Sequence, residues 1–390
     1  MAALKTPTGL WIKLNYRKNI GTITMSSNKN LGVEFVGCNL KYGKDSPAFE
    51  KDPSTIHSHT PRPIKINGKS TKVIDMHAHC QVSAVRDLVH GRPELEGFDP
   101  YALAAMTRVE NLQTRIEEMD RMGIDMQVLS IGLEQYYFWA DRELATKVVK
   151  MQNEMLSQIC AEHPDRFVPL GAVSLQHPDL AVKQLEYAVK NLGHRGCMIA
   201  GSVLGKELAD AEFEKFWAKA EELDVVVFIH PRRFVEGETR LQGRGFLINI
   251  IGQPLETTVA LSHLIYEGTL DRYPGLKIVA AHGGGYLPSY IGRSDHGHTS
   301  DDRGARGLEK KKPSEYLKQI YYDTLVYNTE NLAHLIREVG VSQLVIGTDH
   351  PWGMTNLNPV AHLLSVPGLS EDDIEDILCK TAKKLFKIDG

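Results

Sequence analysis

The stretch Ile74-Asp75-Met76-His77-Ala78-His79 decides the reading of this 390-residue chain. An apolar run ending in H-x-H reads as a β-strand, because strand alternation puts His77 and His79 on one face, two residues apart. Outward from it, from Lys72 onward, short β-branched runs alternate with helical stretches. Strands are predicted at 73–77, 126–131, 167–173, 196–200, 225–230, 277–282, 320–325 and 344–348. Amphipathic helices are predicted between them, as at 111–122, 142–162, 180–192 and 211–223. Such β-then-α units imply parallel strands joined by crossover helices. Eight of them close a barrel, so the expected fold class is α/β, a (β/α)8 TIM barrel with an N-terminal extension containing short β strands. A doubly wound open sheet is the alternative. Against it, no strand is followed by G-x-G-x-x-G, and Gly283-Gly284-Gly285 lacks that spacing.

Residues 1–71 differ in texture and are expected to form the extension, with 72–390 as the barrel. The extension is rich in Lys, Asn, Ser, Gly and Pro. It carries β-like runs at 21–25 and 33–36 and an extended linker at Thr60-Pro61-Arg62-Pro63. Against 45 basic residues stand 49 acidic ones, a net charge of −4, which gives no electrostatic case for nucleic acid or an anionic membrane surface. No stretch approaches the length of a membrane-spanning apolar helix, and the start lacks a secretory h-region. The five cysteines are scattered and never form C-x-x-C, which argues against a disulfide framework and a cysteine-built zinc site. A cytoplasmic location is the expectation.

Barrels carry their chemistry at the carboxyl ends of the strands. Here the first strand ends in His77 and His79, the fifth in His230-Pro231, the sixth in His282 and the eighth in Thr348-Asp349. Any one of these alone is weak. The chain even contains a decoy H-x-H, His57-Ser58-His59, which follows no apolar strand and reads as exposed loop. Convergence of four loaded strand ends on one mouth is what argues for a shared metal site.

The strings IDMHAH (74–79), TRIEEMDRMGID (114–125), HGGGYLPSYIGR (282–293), YYDT (321–324) and GTDHPWG (347–353) resemble the amidohydrolase superfamily. The branch resembled contains aminocarboxymuconate-semialdehyde decarboxylase and related aromatic-acid decarboxylases, over 73 to about 385. The resemblance implies His77, His79, His230 and Asp349 as ligands of one divalent ion. Three imidazoles and a carboxylate suit Zn²⁺ best, with Mn²⁺ or another divalent ion as the alternative. It implies His282 as general base, whose bland alternative is a fifth ligand or a core histidine, and Asp349 as a catalytic residue as well as a ligand.

The resemblance also implies Arg115 as a carboxylate-binding residue, against an exposed helix residue paired with Glu118 or Asp120. Arg293 resembles an arginine that in relatives reaches the active site across a dimer interface, so a homodimer or higher homo-oligomer is expected. Members of the branch carry HPW and then an acidic residue at the fifth strand, whereas this chain has His230-Pro231-Arg232-Arg233. Arg232 therefore joins the expected substrate-binding residues and favours a more anionic or longer substrate. The segment 234–250 is expected as a lid or pocket wall, and 296–312 as a mobile loop or dimer contact. The implied activity is non-oxidative decarboxylation of a small anionic carboxylate, aromatic or muconate-like. Two alternatives stay open: a hydrolase or hydratase using the same ion, and a non-catalytic ligand-binding barrel.

Overall fold

The apolar runs form strands buried on both faces, as parallel strands under a shell of helices must be. In the computed structural model these are β1 (Ile74–Cys80), β2 (Met126–Ile131), β3 (Phe167–Leu170) and β4 (Gly196–Ile199). They continue as β5 (Val226–Ile229), β6 (Lys277–Ala280), β7 (Ile320–Asp323) and β8 (Leu344–Val345). The structure describes residues 3–5 and 11–13, residues 64–94 except 67, 83 and 93, residues 112–300, and residues 307–388 except 308. The runs expected at 21–25 and 33–36, the linker at 60–63 and the His57/His59 pair lie outside the described residues. Short antiparallel pairs join Ala3–Lys5 to Trp11–Lys13 and Ile64–Ile66 to Lys69–Thr71.

The sheet has two parallel ladders, β1-β2-β3 and β4-β5-β6-β7-β8. Single bridges join the arcs at both seams. Gly171 pairs with Cys197, and Asp75 with Ile346. At the second seam Met76 N donates to Ile346 O (2.9 Å), Asp349 N to His77 O (2.8 Å) and His79 N to His350 O (2.7 Å). The molecule is therefore a (β/α)8 barrel, and its last strand end lies beside its first.

Helices separate the strands: α1 (Leu112–Met122), α2 (Arg142–Glu162), α3 (Pro178–Leu192), α4 (Glu214–Glu222), α5 (Gln253–Tyr266), α6 (Leu287–Ser300), α7 (Thr329–Val339) and α8 (Thr381–Phe386). Their ends follow local chemistry. Asp141 caps α2 by accepting from Leu144 N, and Asn328 caps α7 by accepting from Glu330 N. Pro178 opens α3, and Gly193 closes it in the left-handed region at φ 72°. Leu180, Ala181, Leu185 and Ala188 bury one face of α3 against the barrel.

Two sequence expectations change. Strands β3, β6 and β8 stop short of 173, 282 and 348, because the residues beyond them leave the ladder to form the mouth. Residues 296–300 belong to α6 rather than to a loop, since the hydroxyls of Thr299 and Ser300 bond back to His296 O within that helix. Residues 301–306 lie outside the described residues. Among the described residues no helix is long and apolar enough to cross a membrane.

Candidate metal centre

His77 and His79 project from β1, His230 follows β5, and Asp349 lies past β8; all four are buried. The nitrogen or oxygen that each offers lies within 4.8 Å of those of the other three. His77 Nε2 and His79 Nε2 are 3.1 Å apart, and each is 3.4 Å from Asp349 Oδ1.

The other ring nitrogens explain these positions. His77 Nδ1 is 2.6 Å from Asp323 Oδ2. Ser130 Oγ donates to Ala78 O (3.1 Å), so at 3.0 Å it accepts from His79 Nδ1. Both bonds keep a proton on Nδ1, so in the neutral rings the Nε2 lone pairs face one another. His230 has no hydrogen-bond partner for either ring nitrogen, and Asp349 Oδ1 has none either. Buried polar atoms without partners are costly, and converging lone pairs repel. A divalent cation answers both problems: a four-coordinate ion with bonds of about 2.1 Å spans ligand edges of about 3.4 Å. The residues present therefore fit such an ion.

Electrostatics point the same way. Burial, followed by the neighbouring imidazoles, keeps His230 well below the usual histidine range. Burial also lowers His79, to about 4. Burial pulls His77 down as well, but Asp323 and Asp349 outweigh it and raise it to about 10. Burial raises the Asp349 carboxyl, yet His282, His77 and His79 together hold it well below the usual range. Asp349 is thus ionised and His79 and His230 are neutral, good donors for a cation. His77 is protonated without the ion and gives up its Nε2 proton as a cation takes that place.

Two carboxylates that sequence reasoning missed organise this cluster. Asp323, the last residue of β7, also accepts from His282 N (2.9 Å) and Gly283 N (2.8 Å). It ties the H-G-G-G turn to His77. Asp75, two residues before His77, accepts from Thr348 Oγ1 (2.6 Å), Thr348 N (3.1 Å) and Gln127 Nε2 (2.8 Å). It fixes the turn carrying Asp349, and burial pushes its own carboxyl up to about 6. The available signal was placement: both are acidic residues in barrel strands, within the YYDT and IDMHAH strings.

His282 stands at the rim, its Nε2 4.0 Å from Asp349 Oδ2 and its Nδ1 without a partner. His282 and Asp349 both hold left-handed backbone, at φ 55° and 61°. That region is costly for residues other than glycine and recurs at functional sites.

The three arginines separate. Arg115 on α1 donates from Nε to Gln127 Oε1 (2.7 Å) and from Nη1 to His79 O (2.9 Å), while its buried Nη2 has no partner. It lines a cavity with Cys80, Leu129, Ile159 and Pro351, between the helices and the sheet. The acids weighed as its alternative partners bond elsewhere, Glu118 to His350 (2.7 Å) and Asp120 to Arg166 (2.7 Å). Arg232 is half-buried, its guanidinium 5.2 Å from the centre of the Phe138 ring. Arg293 is exposed on α6. The segment 234–250 includes a short turn at Val235–Gly237 and leaves Arg240, Arg244 and Phe246 exposed.

A barrel of eight parallel strands with H-x-H, His and Asp converging at its carboxyl mouth belongs to the class of metal-centre (β/α)8 enzymes. Comparison with known proteins narrows the class. The family model described as amidohydrolase matches residues 74–388, and the chain belongs to that family. The chain is 32% identical over 275 residues to 2-amino-3-carboxymuconate-6-semialdehyde decarboxylase of Dictyostelium discoideum, covering 70% of this chain and 76% of that one. It is 29% identical over 309 residues to gamma-resorcylate decarboxylase of Rhizobium sp. (strain MTP-10005), covering 75% and 93%. The crystal structure of dihydroxybenzoic acid decarboxylase from Polaromonas sp. JS666, with bound manganese and the inhibitor 2-nitroresorcinol, superimposes with a TM-score of 0.70 at 27% identity, covering 82% of this chain and 97% of that one.

Proposed function

We propose that this chain is a divalent-metal-dependent, non-oxidative decarboxylase of a small carboxylated aromatic or muconate-like compound. The observation that carries the reading is the buried cluster of His77, His79, His230 and Asp349, whose unpartnered atoms converge in a family whose relatives named above are decarboxylases. These four side chains would hold the ion. The donor set favours Zn²⁺, and the manganese of the Polaromonas enzyme makes Mn²⁺ the second choice. When bound, the ion supplies Lewis-acid charge to substrate oxygens.

The chain's own residues do the rest. In the reaction, the bond to the carboxylate carbon breaks and its electron pair stays on the remaining carbon. That carbon then takes a proton, and His282 is placed at the rim to deliver it through its free ring nitrogen. Asp349 holds the imidazole of His282 in orientation as well as serving the ion. Arg232 draws an anionic substrate to the mouth, and Arg115 offers Nη2 to a carboxylate. Segment 234–250 forms the wall or lid. Arg293 contributes to a neighbouring site in a homodimer, which sedimentation of wild type and Arg293→Ala would test.

Residues 72–390 form the catalytic barrel and 1–71 an extension. Cys80, Cys160, Cys197 and Cys379 are free and buried, in keeping with a cytoplasmic enzyme of a reducing compartment. The deciding experiment incubates metal-loaded protein with a panel of aromatic and muconic acids in ¹⁸O-labelled water. Carbon dioxide release without label in the retained product supports decarboxylation, and label in that product means hydrolysis or hydration.

A further inference from the structure

Beside the metal cluster, the mouth holds a second group of buried polar atoms. Gln81 directly follows β1; its amide oxygen has no hydrogen-bond partner, and its amide group faces the Glu134 carboxyl, which it lowers. Glu134 lies in the short turn Leu133–Gln135 after β2, and its buried Oε2 has no partner other than that amide. The two converge over Gly132. A Cβ added there would lie 2.5 Å from Glu134 Oε2, 3.6 Å from Gln81 Nε2 and 3.3 Å from Trp352 Cζ2. The missing side chain lets the Glu134 carboxyl and the Trp352 ring close over the backbone here.

Trp352 forms an aromatic wall beside these groups. Trp352 follows the Asp349 turn, and its ring centroid is 6.3 Å from that of His79. Phe138 is buried under the Arg232 guanidinium. Arg232 and Asp349 both act electrostatically on the Glu134 carboxyl, which therefore lies within reach of both charges. Arg232 lowers the Glu134 carboxyl through its charge, but burial outweighs it. A few convergent polar groups in an aromatic slot beside a reaction centre are the usual make-up of a ligand pocket.

We propose that Glu134 and Gln81 are specificity-determining residues that hold a hydrogen-bond donor, a hydroxyl or amino group, on the ring of the substrate. The inference rests on the decarboxylase reading and extends it. Glu134 accepts the substituent's proton, Gln81 Nε2 donates to its lone pair, and the ring lies against Trp352.

The test uses Mn²⁺-loaded full-length protein and five probes: 2-hydroxybenzoate and its 2,3-, 2,4-, 2,5- and 2,6-dihydroxy relatives. One ortho hydroxyl is common to all, so the second reports on the new pocket. Affinities come from stopped-flow quenching of tryptophan fluorescence, read as the ratio of each dihydroxy acid to 2-hydroxybenzoate. In wild type, at least one ratio should favour the dihydroxy acid about tenfold. In Glu134→Gln, which keeps the side-chain volume, and in Gln81→Leu, that ratio should collapse towards one, with metal content and circular dichroism unchanged. A preference that persists in both variants, or no preference in wild type, overturns the inference and leaves the decarboxylase reading standing. Wild type that holds stoichiometric metal yet neither binds nor decarboxylates any aromatic or muconic acid overturns that reading, and this inference with it.

Discussion

His77 Nδ1 lies 2.6 Å from Asp323 Oδ2, with both side chains fully buried and 246 residues apart in the chain. The bond orients the His77 ring, so its Nε2 points at Asp349 and His79. Asp323→Asn removes the charge from this pair and gives an amide where three backbone N–H groups also need an acceptor. Divalent-metal affinity should fall about 10- to 100-fold with the ligand set intact. Competition titration against a chromophoric chelator measures it.

Asp349→Ala should abolish stoichiometric metal, as read by elemental analysis of purified protein. In wild type, stripping the ion with a chelator should lower the unfolding transition, because an ion bound only by the native state adds about 4 kcal/mol at a thousandfold excess over its Kd. The alanine variant should show no such shift. A wild-type protein without stoichiometric divalent ion would overturn the ligand assignment.

His282→Gln separates proton transfer from metal binding. The variant should keep its ion and lose about 10²- to 10⁴-fold in kcat. Full turnover with the ion retained would remove His282 from the chemistry.

Gly347, two residues past β8, lies between Asp323 of β7 and His77 of β1. A Cβ there would lie 2.7 Å from that of Asp323 and 3.0 Å from that of His77. Gly347→Ala must push this pair apart, at a cost of about 1–3 kcal/mol in stability. Denaturant unfolding reads that cost, and metal affinity should fall with it.

Glu134 gives a pH signature. Burial raises its carboxyl from 4.5 to about 7, and the nearby Arg232 only partly opposes this. Between those values the folded state keeps a proton that the unfolded chain has released, so rising pH destabilises the fold across that window. The loss is complete above about 7. Glu134→Gln does not titrate, so metal-free variant should gain on metal-free wild type between pH 4.5 and 7, by about 3 kcal/mol at most, and hold that gain above it. Paired thermal melts across this range would reveal it, and a constant difference would place Glu134 in water.

Much of the barrel was legible because its signals are local. Val226–Ile229 is apolar at every position, as a strand covered on both faces must be, and H-x-H on β1 needs only strand alternation to put two imidazoles together. The strand limits were less legible. β8 is two residues long because Thr348 and Asp349 bond across to Asp75 and His77 of β1 rather than along their own ladder. Arg115 was read from its motif as a substrate residue, and the structure gives two of its nitrogens to Gln127 and His79 O.

The sequence by itself determined the α/β period, the number of strands and the four residue types at the strand ends. Those follow from burial patterns repeating over a few residues and from side chains whose chemistry is intrinsic. Only the tertiary structure decided which lone pairs face one another. The seam brings Asp75 to Thr348, β7 brings Asp323 to His77, and the β1 and β2 ends bring Gln81 and Glu134 over Gly132. Partnering of buried polar atoms depends on what packs against them across the barrel, and no local pattern encodes it.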